Sequence, residues 1–313
     1  MLTVHIGVGK TATTSFQKVF FPGHRGILYL GKAAEPDGFQ AAFRRAVDGL
    51  ILQDGMVWSP EPLRALAGQA LERARTEGRV ALYSDEIIID SDRDKGDTIR
   101  RLREAFAPCR ILLTIREQRS FLCSLYGHDN NKLKNLPAPC NGRFLPMEDW
   151  LGYHRRLLDL HQGWFWLAQY HRLVEALHAA FGPENVLVLP FERFRADRTA
   201  CLAGLCAFLG VEPDPALDRE MGERRLNAQN ADRWLQKHLY MHGLQRRGSW
   251  LARHPALLRL AGSLYSNRHR EARRVRIEIP EEWEAPLCDL FRASNHALAE
   301  RTGLPLQDLG YAW

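Results

Sequence analysis

Five short apolar runs punctuate the chain at Leu2–Gly7, Ile27–Leu30, Val80–Ser84, Arg110–Ile115 and Val186–Pro190. Each is bounded by Gly, Pro or charged residues, which predicts buried strands rather than helices. Between them, apolar positions recur at helical spacing. Helices are predicted over Thr13–Phe20, Phe39–Leu50, Pro62–Glu77, Ile99–Ala105, Arg119–Tyr126, Trp166–Phe181 and Arg198–Leu209. Strands alternating with helices imply a parallel sheet covered on both faces, an α/β three-layer sandwich. Gly182-Pro183 and Glu212-Pro213-Asp214-Pro215 interrupt the pattern as loops, and Asn135–Arg143 reads as a loop able to act as a lid. No internal repeat or low-complexity block breaks the alternation.

The 313 residues could hold two domains, but α/β folds often use this length as one, so a single domain over 1–313 is expected. Apolar content of 45% is ample for a core, and no run is long and apolar enough for a membrane span. The apolar start leads straight into Gly and Lys, unlike a signal peptide, so a cytoplasmic protein without stable membrane insertion is expected. The cysteines at 109, 123, 140, 201, 206 and 288 form neither CxxC nor a His-spaced metal pattern, which suits reduced thiols and no metal. A net charge of +6 fits a protein that handles anions without itself indicating nucleic acid.

The densest chemistry stands at the N-terminus, MLTVHIGVGKTATTSFQKVF. A strand, the turn Gly7-Val8-Gly9, Lys10 and a helix start at Thr11–Ser15 make an anion cradle. The free N–H groups of a first helical turn and its dipole favour negative charge, and Lys10 adds a mobile full charge. A phosphate compound is the expected ligand. The nucleotide-triphosphatase loop GxxxxGK[ST] does not fit, because its first glycine would fall at Val4 inside the strand. The segment Gly9-Lys10-Thr11-Ala12-Thr13-Thr14 is instead similar to the 5′-phosphosulfate loop of sulfotransferases, with Gly9 in place of the usual proline and Ala12 in place of the usual glycine.

The run CRILLTI ends at Arg116, and Ser124 follows eight residues later. This resembles the sulfotransferase 3′-phosphate motif. A planar guanidinium and a hydroxyl suit a phosphate, and both would lie at the carboxyl end of a sheet, where open α/β folds bind ligands. Glu184–Phe194, Leu202–Val211, and Ser294–Leu298 with Leu309–Tyr311 are similar to later segments of the same family, whereas Asp129–Trp166 matches only loosely. The resemblance implies a P-loop NTPase-like fold, with residues about 129–166 and 212–285 as acceptor-side or helical insertions. It implies 3′-phosphoadenosine-5′-phosphosulfate as co-substrate, bound by Lys10, Thr11, Ala12, Thr13, Thr14, Arg116 and Ser124, with Lys10 also stabilising charge on the bridging oxygen. The acceptor would be a hydroxyl or amine of a glycan or small molecule.

The transfer needs a base, and strand Val80–Ser84 leads into Asp85-Glu86. By resemblance to carbohydrate-modifying members Glu86 is the candidate, with Asp85 second and His128 and His5 as rivals. His5 also reads as a packed strand residue. Arg268–Arg276 (RHREARRVR) admits three readings: recognition of an acidic substrate, cover for the 3′-phosphate, or a solvated helix face. Arg224-Arg225-Leu226-Asn227 is an equal candidate for phosphate cover. Trp164 and Trp166 could stack on an acceptor or pack a core. Two other function classes remain open: a small-molecule kinase in which Glu86 or Asp85 holds Mg²⁺, and a nucleic-acid-binding module, for which interleaved basic and aromatic residues are not seen.

Overall fold

The computed structural model describes residues 1–32, 37–91, 94–132, 144–223, 231–246, 250, 254–268 and 277–313. They fall into two compact units, one of residues 1–117, 169–225 and 291–313, the other of residues 118–168 and 226–290.

The first unit is built on a five-stranded sheet. Its strands are β1 (Leu2–His5), β2 (Ile27–Tyr29), β3 (Val80–Ser84), β4 (Cys109–Ile115) and β5 (Val186–Pro190), in the order β2-β3-β1-β4-β5. Every pairing is parallel. All five predicted strands are present, and the expected α/β sandwich about a parallel sheet is what forms. Strands covered on both faces read as continuous apolar runs, which explains their legibility.

Helices Glu61–Thr76 and Tyr170–Phe181 pack on β2/β3 and β4/β5, and both touch Lys95–Phe106, so these three share a face. Alternation along β1 sends His5 to the other face, where its ring meets Phe16 and Phe21 at centroid distances of 6.0 and 5.4 Å. Pairing of β1 continues past its end, since Ile6 N–H donates to Leu112 O and Val8 N–H to Thr114 O. The loop after β1 is thereby anchored on β4.

The helical expectations needed more correction. Only Thr13–Ser15 of the first helix is α-helical; Phe16–Phe20 is wound as a π-helix. The expected Trp166–Phe181 helix is two pieces, Gly163–Leu167 and Tyr170–Phe181. Gln169 breaks it, with ψ of 66°, and the Ala168 carbonyl instead accepts from Gln118 Nε2 at 3.3 Å. Helix Lys95–Phe106 starts four residues before its predicted Ile99 because the Asp94 side chain caps it, accepting from Asp97 N–H. Ile87–Asp90, Met147–Leu158, Phe191–Ala196, Pro215–Glu223, Ala231–Arg246, Pro255–Arg268 and Glu281–Thr302 are helices the sequence reading left unassigned. In the second unit Trp150 is fully buried, its indole N–H donating to Asp129 at 3.3 Å. Among the described residues, no helix is long and apolar enough to cross a membrane. The expected lid Asn135–Arg143, the segment Arg224–Asn227 and most of Arg268–Arg276 lie outside the described residues.

Candidate functional site

The loop from Gly7 to Ala12 is held in a conformation its side chains oppose. Lys10 and Ala12 have φ of 69° and 66°, the left-handed region that costs an L-residue roughly 1–2 kcal/mol. Such strain persists only where the surroundings enforce it, and it gathers at ligand-binding sites. The surroundings are specific. A Cβ on Gly7 would stand 2.0 Å from Thr114 Oγ1 and 2.6 Å from His5 Nε2, so only glycine allows this approach. The Thr11 hydroxyl turns inward to Val8 O and lies 2.6 Å from Thr114 Oγ1. Thr11 and Thr13 are buried, and Thr14 is half-buried. The Thr11 hydroxyl is therefore engaged within the fold. The N–H groups at the start of helix Thr13–Ser15 have no acceptor within that helix, as at any helix N-terminus.

Arg116 is brought to this loop. Its Nη1 donates to Lys10 O at 3.1 Å, and its guanidinium lies over Phe191, 4.9 Å from the ring centroid. Burial lowers its pKa, opposed by the nearby Glu192 and Tyr170. The Tyr170 hydroxyl fixes the backbone by donating to Arg116 O at 2.9 Å. Glu192 accepts from Glu117 N–H at 3.1 Å and from the Tyr311 hydroxyl at 3.1 Å. Burial raises the Glu192 pKa. The late segments around Glu192 and Tyr311 thus brace the strand end that carries Arg116. Ser124 is half-buried on helix Gln118–Lys132, in the second unit.

Beyond the end of β3, Lys32 Nζ stands 3.0 Å from Asp85 Oδ1 and 2.9 Å from Glu86 Oε1. Gln17 Nε2 donates to Glu86 Oε2 at 2.6 Å. Burial works to raise the Glu86 pKa, but the bonds from Gln17 and Lys32 outweigh it and hold the carboxyl below its ordinary value. Asp85 is buried and accepts from Ile87 N–H at 3.1 Å. A hydrogen-bonded chain joins this acid to the loop. Gln17 also donates to Ser84 Oγ at 3.1 Å, Ser84 Oγ lies 2.7 Å from His5 Nδ1, and His5 Nε2 lies 3.3 Å from Thr114 Oγ1. His5 is fully buried, and desolvation lowers its pKa to about 4, against a smaller upward pull from Glu86. It is a neutral bridge between strands.

Solved sulfotransferases are among the structures to which this chain is similar. They include the sulfotransferase from Alicyclobacillus acidocaldarius (18% identity over 70% of this chain and 88% of that one, TM-score 0.44). A sulfotransferase domain from the curacin biosynthetic pathway is 13% identical over 69% of this chain and 76% of that one, with a TM-score of 0.40. Mouse sulfotransferase SULT7A1, solved in complex with PAP, is 13% identical over 96% of this chain and 88% of its own, with a TM-score of 0.39. No family model matches the sequence, and no curated protein matches it.

Three partners at this site were not singled out from the sequence: Lys32, Gln17 and Asp90. Asp90 ends the short helix Ile87–Asp90 and accepts from Gly9 N–H at 3.0 and 3.3 Å with its two oxygens. A Cβ on Gly9 would stand 2.6 Å from Asp90 Oδ2. Desolvation, with Glu86 adding to it, pushes the Asp90 carboxyl up to about 8. The remaining sequence candidates among the described residues belong to the second unit. His128 is half-buried, its Nδ1 3.5 Å from Asp129 Oδ1. Trp166 stacks on His161 at 4.7 Å, and Trp164 meets Phe121 edge-on at 6.2 Å. Among the described residues, no group of three or more His, Cys, Asp or Glu is placed to hold a metal.

Proposed function

We propose that the chain is a sulfotransferase that takes its sulfuryl group from 3′-phosphoadenosine-5′-phosphosulfate and passes it to a hydroxyl or amine of a carbohydrate or small molecule. The observation that carries this reading is the bond from Arg116 to the Lys10 carbonyl. It ties a planar guanidinium at the end of β4 to the lysine-bearing loop, which supports a site for a nucleotide with separate 5′ and 3′ anionic ends. The strained backbone at Lys10 and Ala12 supports the same reading, because alternating left-handed residues turn successive N–H groups toward one anion.

The donor, when bound, supplies an activated sulfur–oxygen bond. The chain's own residues do the rest. Lys10 and the N–H groups of Thr11, Ala12, Thr13 and Thr14 hold the 5′ end, and Lys10 meets the negative charge that grows on the leaving oxygen. Arg116, together with Ser124, holds the 3′-phosphate. Glu86 is ionised near neutral pH because Lys32 and Gln17 stabilise its carboxylate, so it is able to accept the acceptor's proton. Residues about 129–166 and 212–285 are the proposed acceptor side.

Thermal stabilisation of the full chain by adenosine 3′,5′-bisphosphate, compared with Mg-ATP, tests the reading. A ligand that binds only the folded state at 100 times its Kd stabilises by about 2.7 kcal/mol. The bisphosphate is expected to raise Tm without added metal, and Mg-ATP to raise it less. Stabilisation by Mg-ATP alone overturns the reading in favour of a small-molecule kinase.

A further inference from the structure

The chain's positive charge is concentrated in one stretch. Residues 246–276 contain nine Arg and a single Glu, leaving 34 Lys and Arg against 36 Asp and Glu in the rest of the chain. The excess that makes the protein basic is therefore local, and the same stretch exposes large apolar side chains. On helix Pro255–Arg268, Leu257, Leu260 and Leu264 are 38%, 55% and 61% exposed, and the preceding Trp250 is 62% exposed. Spacing of i, i+3 and i+7 puts the three leucines within an arc of roughly 60° on one helix face.

That face is not the one packed inward. The helix meets its neighbour Ala231–Arg246 through the stacked pair Tyr240 and Tyr265, with centroids 4.2 Å apart, and through Gly262, where an added Cβ would stand 2.6 Å from Met241 Sδ. Leu258 is buried. The leucine stripe points away from these contacts. Arg246, His254 and Arg259 are exposed.

We propose that this surface docks the protein on an anionic phospholipid bilayer, with Trp250, Leu257, Leu260 and Leu264 entering the interface and the arginines meeting the lipid phosphates. Two weak signals combine in such docking: apolar side chains reaching the acyl boundary, and a basic cluster drawn to a negative surface. Charge selects the occupant. A second copy of this chain would bring the same arginine-rich stretch against itself, and a soluble polyanion would leave the leucine stripe in water. The proposal does not depend on sulfuryl transfer.

Co-sedimentation of the full chain with large unilamellar vesicles tests it, comparing phosphatidylcholine alone with phosphatidylcholine mixed with phosphatidylglycerol. The wild-type chain is expected to partition at least ~10-fold more strongly onto the anionic vesicles, and to lose most of that preference in high salt. The triple substitution Leu257→Ser, Leu260→Ser, Leu264→Ser should weaken the partition at least ~10-fold, since those side chains would no longer enter the interface. Exposed positions tolerate such changes, and an unaltered circular-dichroism melt confirms the fold. If that variant melts early, the pair Arg246→Glu, Arg259→Glu serves instead and must also weaken anionic-vesicle binding. Four results overturn the proposal: no vesicle binding, equal binding to both vesicle types, binding unchanged in the folded variants, or a wild-type dimer that the leucine substitutions convert to monomer while vesicles are ignored.

Discussion

Glu86 and Asp90 stand one helical turn apart beyond the end of β3, and each leans on a different part of the same site. Glu86 faces Lys32 and Gln17, and its carboxyl is held below the ordinary value by them despite partial burial. Asp90 faces the backbone of the Lys10 loop, where a bond from Gly9 N–H does not offset desolvation, and its carboxyl rises to about 8. Opposite perturbations are how one region keeps one carboxyl ionised and its neighbour protonated at the same pH. Near neutral pH Glu86 is ionised and Asp90 is largely protonated. A protonated Asp90 also places less negative charge beside the loop proposed to hold an anion. The difference is set by neighbours rather than by residue type, and it makes the two residues separable by experiment.

The sharpest way to break the comparison is to replace each carboxyl in turn. Glu86→Gln keeps size and hydrogen bonding but cannot take a proton, and loss of a general base costs about 10²–10⁴-fold in rate. Asp90→Asn preserves an acceptor for Gly9 N–H and should cost far less. Turnover of both variants with a working acceptor, with bisphosphate affinity as control, decides. A dead Asp90→Asn beside an active Glu86→Gln exchanges the roles, and two active variants send the search to Asp85 and His128.

Lys10→Ala tests the loop that Asp90 supports. Removing a charge that acts mainly in the transition state should lower turnover about 10²–10³-fold while weakening adenosine 3′,5′-bisphosphate much less. Near-normal turnover at saturating donor would remove Lys10 from the mechanism.

Arg116→Ala should weaken the bisphosphate by about 1.5–3 kcal/mol, with Ser124→Ala a smaller loss, by titration calorimetry. Adenosine 5′-phosphate is the control. If Arg116→Ala weakens both nucleotides equally, the arginine serves the loop through Lys10 O rather than the 3′ end.

The effect furthest from the chemistry is on stability. A carboxyl whose folded pKa stands above its unfolded value favours the folded state at low pH, and that contribution is lost as pH rises from the model-peptide range, near 3.8, through about 8. Glu86 has the opposite sign, stabilising above its unfolded pKa and losing that contribution as the solution is acidified. Asp90→Asn should therefore flatten the decline of Tm between pH 5 and about 8, as scanning calorimetry would read it. An unchanged slope would mean that Asp90 does not titrate in this window.

Much of this protein was written locally. Five strands were legible because strands buried on both faces must be apolar throughout. Lys10 and Arg116 were legible because each stands directly after such a strand, so chain direction alone sends them to the carboxyl end of a parallel sheet. The breaks were less legible. Whether the chain stops at Gln169 depends on Gln118 reaching the Ala168 carbonyl from 50 residues away. The later helices Ala231–Arg246 and Pro255–Arg268 carry exposed leucines that blur the apolar periodicity.

What only the tertiary structure decided is the state of the site. The strand order seats β1 between β3 and β4, so His5 bridges Ser84 and Thr114. The same packing brings Asp90 to Gly9, 81 residues away, and Lys32 to Glu86, 54 residues away. It also turns the Thr11 hydroxyl inward, where the motif alone suggested a ligand contact. Sequence fixes which ionisable groups exist and which strand end carries them. Their protonation depends on burial and on neighbours distant in the chain, and those exist only once the strands have paired.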